Sequence, residues 1–171
     1  PMYRRQRQMC IRDSIIIETS GSCHPMPLIE YFKEQTSVKL TGLFTLVDSL
    51  MLAHDFNYGE RLIPKLQQNM MDGKRDTINL LIEQILFCSH LILTKTDRID
   101  ASKLPDIATY VQEINPLAST HSVRFGKLTI ESLFELEDYN YFKVAKLFDE
   151  IRPLLDAEEH ANRPYDLATK V

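Results

Sequence analysis

Two short stretches hold residues whose types and spacing can do chemistry. In "LILTKTD" (91–97) an apolar run ends on Lys95-Thr96-Asp97. A carboxylate at Asp97 can accept hydrogen bonds from both the N1–H and the N2 amino group of guanine. Adenine lacks that donor pair, so such an aspartate selects guanine. The aliphatic stem of Lys95 can cover the face of the base. The same residues also suit a solvated turn after a strand. In "IIIETSG" (15–21) an acidic residue, Glu18, ends an apolar run, and Gly21 follows three residues on. A carboxylate so placed can hold a water of a bound Mg²⁺ or orient an attacking water. Gly21 lets a backbone N–H approach a terminal phosphate. Taken alone, this pattern equally describes a strand-ending carboxylate and a turn glycine.

Chemistry at such positions needs a sheet. "IIIE" (15–18), "LFTLVD" (43–48) and "LILTKTD" (91–97) are near-continuous apolar runs ending in polar residues. That is the pattern of parallel strands buried on both faces. "THSVRF" (120–125) is a more polar fourth candidate. Between them lie segments of helical period: "PMPLIEYFKEQ", "DTINLLIEQILF" with Ile78, Leu81, Ile82, Ile85 and Leu86, "LPDIATYVQEI" with Ile107, Val111 and Ile114, and "YFKVAKLFDEI". Residues 54–76 read as a helix-containing insertion. The expected fold is α/β: a mostly parallel sheet with helices on both faces, where ligands gather at the carboxyl ends of the strands. The tail "AEEHANRPYDLATKV" reads as a linker entering a new strand.

Bulk properties narrow the function class. The chain has 171 residues and a formal charge of −4. Arg4, Arg5, Arg7 and Arg12 outweigh Asp13 by three in residues 1–14, so the remainder carries −7. An acidic body argues against nucleic acid as the main partner. No apolar run has the length of a membrane span. The basic start lacks a secretory core. Three scattered cysteines make no disulfide framework and point to a reducing, cytoplasmic setting. Cys88 reads as a buried small hydrophobe. Met51, Met70 and Met71 read as packing residues rather than a soft-metal box. His54, His121 and His160 are isolated.

The ordered blocks "IIIETSG.CHPMPL", "LFTLVDS", "NLLIEQILFCSHLILTKTD" and "INPLASTHSVRFGKL" resemble the CobW-type GTPases. These are P-loop GTPases related to the hydrogenase and urease nickel-insertion GTPases, and the resemblance covers about residues 15–135. It implies a P-loop NTPase-like fold and a GTP-hydrolysing metallochaperone that uses GTP and Mg²⁺. It also implies delivery of Zn²⁺, or cobalt, to a metalloprotein client. Glu18 and Gly21 match the family's Glu-x-x-Gly, which faces Mg²⁺ and the γ-phosphate. Lys95 and Asp97 match its Asn-Lys-x-Asp guanine motif, with Thr94 where asparagine is usual. Ser122, Phe125 and Gly126 fall in the loop that borders the guanine. Cys23 and His24 replace a small-acidic pair and are donors suited to zinc. Glu83-Gln84 match a family block to which the sequence assigns no role.

Two family features are missing from these residues. No Gly-Lys-Ser or Gly-Lys-Thr phosphate loop occurs, and there is no Cys-x-Cys-Cys metal motif. Without the loop's nest of N–H groups and its lysine, the chain alone is expected to bind GTP poorly and to be inactive. The expected organisation is a non-native leader (1–14), a partial GTPase domain (15–153), and a linker with the start of a C-terminal domain (154–171). "MCIRDS" coincides with the translation of a transposon mosaic-end sequencing adapter, which would make the leader foreign to the fold. The alternative reading is a degenerate, non-catalytic GTPase-like interaction module.

Overall fold

A computed structural model of the chain describes residues 15–129, 139–143 and 146. The expectations for residues 1–14, for most of the last helical segment and for the tail lie outside these residues.

Among the described residues three strands form one parallel sheet: β1 (Phe44–Asp48), β2 (His90–Thr94) and β3 (Ser119–Ser122), in the order β1-β2-β3. The register pairs Val47 with Leu93 and Asp48 with Thr94, while Leu93 pairs with Ser122. All three strands therefore end at the same edge. Among the described residues five α-helices with both ends described accompany the sheet: α1 (Pro25–Glu34), α2 (Ser49–Asp55), α3 (Leu62–Met71), α4 (Thr77–Phe87) and α5 (Leu104–Ile114). This is the α/β class that the apolar runs predict. The insertion expected at 54–76 contains α3 and a 3-10 turn at Asn57–Gly59.

Local chemistry sets the helix limits. Asp76 accepts from the Ile78 amide at 2.9 Å, while the Asn79 side chain accepts from the Asp76 amide at 3.3 Å. This reciprocal box starts α4 where the periodicity begins. Asn79 also accepts from Asn69 at 2.9 Å, joining α3 to α4 through a buried amide pair. Gly59, at φ +107°, packs so closely on α5 that a Cβ would stand 3.0 Å from Cβ of Tyr110. Only glycine satisfies both the backbone angle and the contact.

The core lies on the sheet face formed by Val47, Leu91 and Leu93. It takes in Ile82, Ile85, Leu86 and Phe87 of α4 and Ile107, Val111 and Ile114 of α5. Tyr139 joins it and donates from Oη to the Phe87 carbonyl at 2.6 Å. Cys88 is buried as expected, and burial pushes its thiol up to about 12.

Three expectations need correction. Residues 15–18 are not a strand: Ile15, Ile16 and Ile17 lie in coil, 66%, 86% and 58% exposed. A short apolar run becomes a strand only where a neighbour completes its hydrogen bonds, and none of the three described strands pairs with it. "THSVRF" is a strand only as far as Ser122. After the Val123 amide bonds Leu93 at 2.9 Å, the chain turns at Arg124–Lys127. Met71 is 83% exposed and packs nothing, because α3 ends there and the next residues turn away.

The opposite sheet face carries a titratable pair. The His90 ring stacks on Phe44 at 4.8 Å and lies 5.7 Å from that of His121. Nδ1 of His90 and Nε2 of His121 are buried without a hydrogen-bond partner among the described residues. Burial, and then the charge of His121, hold the His90 pKa below its ordinary value. The unfolded chain therefore binds more protons at mildly acidic pH, and stability falls as pH drops below about 6.5. Denaturant unfolding at pH 7.5 and at pH 5.5 should show this loss. His90→Phe should flatten the difference relative to the unsubstituted chain.

Candidate functional site

The shared carboxyl edge of the sheet gathers the residues of the guanine motif. Asp48 ends β1 and caps α2, accepting from the amides of Leu50 at 2.9 Å and Met51 at 3.2 Å. Its second carboxylate oxygen accepts from Lys95 Nζ. Burial raises the Asp48 pKa, but the Lys95 ammonium and the two amides outweigh it and hold the carboxyl below its ordinary value. Thr94 does not point outward. Its hydroxyl donates to the Val47 carbonyl at 3.1 Å, tying the end of β2 to β1. Lys95 then adopts a left-handed conformation (φ 55°), unusual for a side chain with a Cβ. Its ion pair with Asp48 and the bond from the Arg98 amide to its carbonyl, 3.0 Å, hold it there.

Asp97 sits in the 3-10 turn Thr96–Arg98 and accepts from the Phe125 amide at 3.1 Å through Oδ1. Thr96 is buried and donates from its hydroxyl to the Val123 carbonyl at 2.8 Å. Two bonds from neighbouring residues thus clamp the loop after β2 to the loop after β3. Phe125 (φ 52°) and Gly126 (φ 67°) are the central residues of that second turn, closed by the Lys127 amide on the Arg124 carbonyl at 3.0 Å. Positive φ at both central positions is the pattern of a type I′ turn. The Phe125 ring is left 77% exposed at its tip. Ser122 ends β3 and is exposed beside it. The structure therefore brings Thr94, Lys95, Asp97, Ser122, Phe125 and Gly126 to one edge. It adds Asp48 and Thr96, which the sequence reading missed. Asp48 had a visible signal, since it ends an apolar run as Asp97 follows one.

Glu18 and Gly21 lie in an exposed coil held against α4. The turn closes with the Cys23 amide on the Ser20 carbonyl at 2.9 Å. Gln84 Nε2 donates to the carbonyls of Gly21 at 2.9 Å and Cys23 at 3.0 Å. Beside it, buried Glu83 meets Nδ1 of His24 at 2.9 Å and NH2 of Arg75 at 2.5 Å. His24 is thus already engaged by a carboxylate. Cys23 directs its thiol to the His24 carbonyl. No group of three or more Cys, His, Asp or Glu stands ready for one ion among the described residues. Cys23 and His24 therefore fall short of the three or four ligands that zinc takes.

Among the described residues no helix is long and apolar enough to cross a membrane. Over residues 2–122 the chain matches the family described as CobW/HypB/UreG, nucleotide-binding domain. It is similar to Zinc-regulated GTPase metalloprotein activator 1 of Dictyostelium discoideum, with 30% identity over 65% of this chain and 26% of that protein. The protein of the same name in Schizosaccharomyces pombe is 28% identical over 74% of this chain and 28% of its own length. Zinc chaperone CobW of Sinorhizobium sp is 34% identical over 54% of this chain and 28% of its own length. The chain thus spans about a quarter of the length of these relatives. No solved structure matches it.

Proposed function

The chain belongs to the CobW/HypB/UreG family, and on that premise we propose that it supplies the guanine-reading and water-facing part of a GTP-hydrolysing metallochaperone. The observation that carries this reading is the clamp of Asp97 to the Phe125 amide, with Thr96 bonded to Val123. It holds a carboxylate at the carboxyl edge of a parallel sheet, where such folds bind nucleotides. An ionised carboxylate offers about four lone-pair sites. Oδ1 can therefore keep the Phe125 amide and still share a guanine edge with Oδ2.

Asp97 selects the base in this reading. The Lys95 stem covers its face, and Asp48 sets the position of Lys95. Thr94, which stands where the family's asparagine is usual, ties β2 to β1. Ser122, Phe125 and Gly126 border the pocket. Bound Mg²⁺ would supply charge neutralisation for the phosphates, and one exposed carboxylate at Glu18 suits a contact through water. Gly21 leaves room for a phosphate to approach the backbone, since a Cβ there would meet nothing within 4 Å. The chain holds no Gly-Lys-Ser or Gly-Lys-Thr, so taken alone it hydrolyses GTP negligibly. Zinc is the cargo suggested by the relatives' names, a metalloprotein is the client, and the setting is cytoplasmic. Cys23 and His24 contribute to a zinc site only if further ligands join them.

Coupling of nucleotide to cargo is reciprocal: if GTP changes zinc affinity, zinc changes GTP affinity by the same factor. Equilibrium dialysis of zinc against the full-length protein, with GDP and with a non-hydrolysable GTP analogue, tests this. Different zinc affinities in the two states are expected. Equal affinities would remove the chaperone reading.

A further inference from the structure

We propose that Glu83 and Gln84 are positioning residues for the Ser20–Cys23 turn, which carries Gly21 and follows Glu18, an inference that rests on reading this turn as the phosphate-facing one. The turn is exposed, and its internal bonds are local. Among the described residues its long-range hydrogen bonds come from Gln84, to the carbonyls of Gly21 and Cys23, and Glu83 bonds His24 just after it, all across about 60 residues of chain. Consecutive helix residues point about 100° apart. Gln84 thus grips the turn through its backbone, while Glu83 grips His24, the residue after it. Arg75 closes the arrangement, bonding Glu83 at 2.5 Å and lying 3.5 Å from Nδ1 of His24. Glu83 is only 6% exposed, yet its carboxylate meets both a guanidinium and an imidazole, which accounts for a charged group at a buried helix position.

The geometry also sets the direction of the grip. Both Gln84 bonds use the side-chain amide as donor and backbone carbonyls as acceptors, so they do not engage the Gly21 N–H. The Ser22 and Cys23 amides already donate to Ser20 within the turn, so the Gly21 N–H is the one this reading offers to an incoming phosphate. Glu83-Gln84 thereby fix the turn from behind. Because α4 also leads directly into β2 and the Lys95–Asp97 loop, one helix serves both halves of the site.

Gln84→Met in the full-length protein removes both donors at nearly constant size and helix propensity. Hydrogen exchange at the Cys23 amide should rise about tenfold with the thermal midpoint unchanged. In steady-state kinetics kcat for GTP should fall roughly 10- to 100-fold while GDP affinity, set by the guanine loops, stays the same. Gln84→Glu, which turns an acceptor on two carbonyls, should be at least as severe. Glu83→Gln should give a smaller loss of the same kind. Unchanged exchange at Cys23 overturns the proposal, as does a loss of GDP affinity equal to the loss in kcat. Absence of GTP hydrolysis in the unsubstituted protein would instead sink the functional reading, and the exchange result would still decide the positioning role.

Discussion

Asp97→Asn in the full-length protein should weaken GDP binding by about 100-fold or more and leave weak ADP binding where it was. Two charge-assisted hydrogen bonds run from guanine to this carboxylate in the proposed complex, each worth about 1.5–3 kcal/mol. The asparagine amide still offers one oxygen, which also suffices for the Phe125 amide bonded by Oδ1. Its NH2, however, faces the guanine amino group donor to donor. The loop clamp therefore survives while the base contact turns repulsive. Chemistry supplies a rescue: xanthine carries a carbonyl where guanine has its amino group. XDP should bind the Asp97→Asn protein better than GDP does, reversing the order in the unsubstituted protein. Competition against a fluorescent nucleotide measures all four affinities. A parallel loss of GDP and XDP binding would show that Asp97 supports the fold and not the base.

Asn115→Ala should lower the stability of the domain by about 3 kcal/mol. Asn115 is 2% exposed and directs Nδ2 at the carbonyls of Ile85, Leu86 and Cys88, each at 2.9 Å. Those carbonyls lie in the last turn of α4 and just beyond it, where a helix has no donor partners of its own. The Asn115 side-chain oxygen accepts from Leu117 at 3.0 Å, so the amide is used at both ends. Alanine takes this donor from the buried Leu86 and Cys88 carbonyls, at about 1–3 kcal/mol each before relaxation, while the Ile85 carbonyl keeps the Cys88 thiol at 3.1 Å. Asn115→Asp should cost at least as much, because it sets a carboxylate against carbonyls. Urea unfolding gives the value; a change below about 1 kcal/mol would mean that water or a backbone shift replaces the amide. Since α4 also carries Glu83 and Gln84 and leads into β2, loosening its end should lower GDP affinity as well.

The sequence showed some of this and concealed the rest for physical reasons. Lys95 and Asp97 were legible because the motif is local: strand, then cation, then carboxylate. The helices α4 and α5 were legible because their apolar positions repeat at the helical period. Asp48 and Thr94 were not paired in the sequence reading. Their meeting depends on the β1–β2 register, which places them side by side across 46 residues. Gln84 stood in a family block without a role, because its partners are two backbone carbonyls that no residue type announces. Asn115 follows α5 in the chain, yet its side chain finishes α4, a meeting that no local pattern announces. The run Ile15–Ile17 misled for the converse reason: apolar character alone does not make a strand where no neighbour completes its ladder.

The central claim is that this sheet edge reads guanine. Binding of GDP and of ADP to the full-length protein, measured by calorimetry at one salt concentration with Mg²⁺ present, tests it most directly. Discrimination of about 10⁴-fold in favour of GDP is predicted, as expected of a site built to pair with groups that adenine lacks. Equal affinity for the two nucleotides would contradict the account.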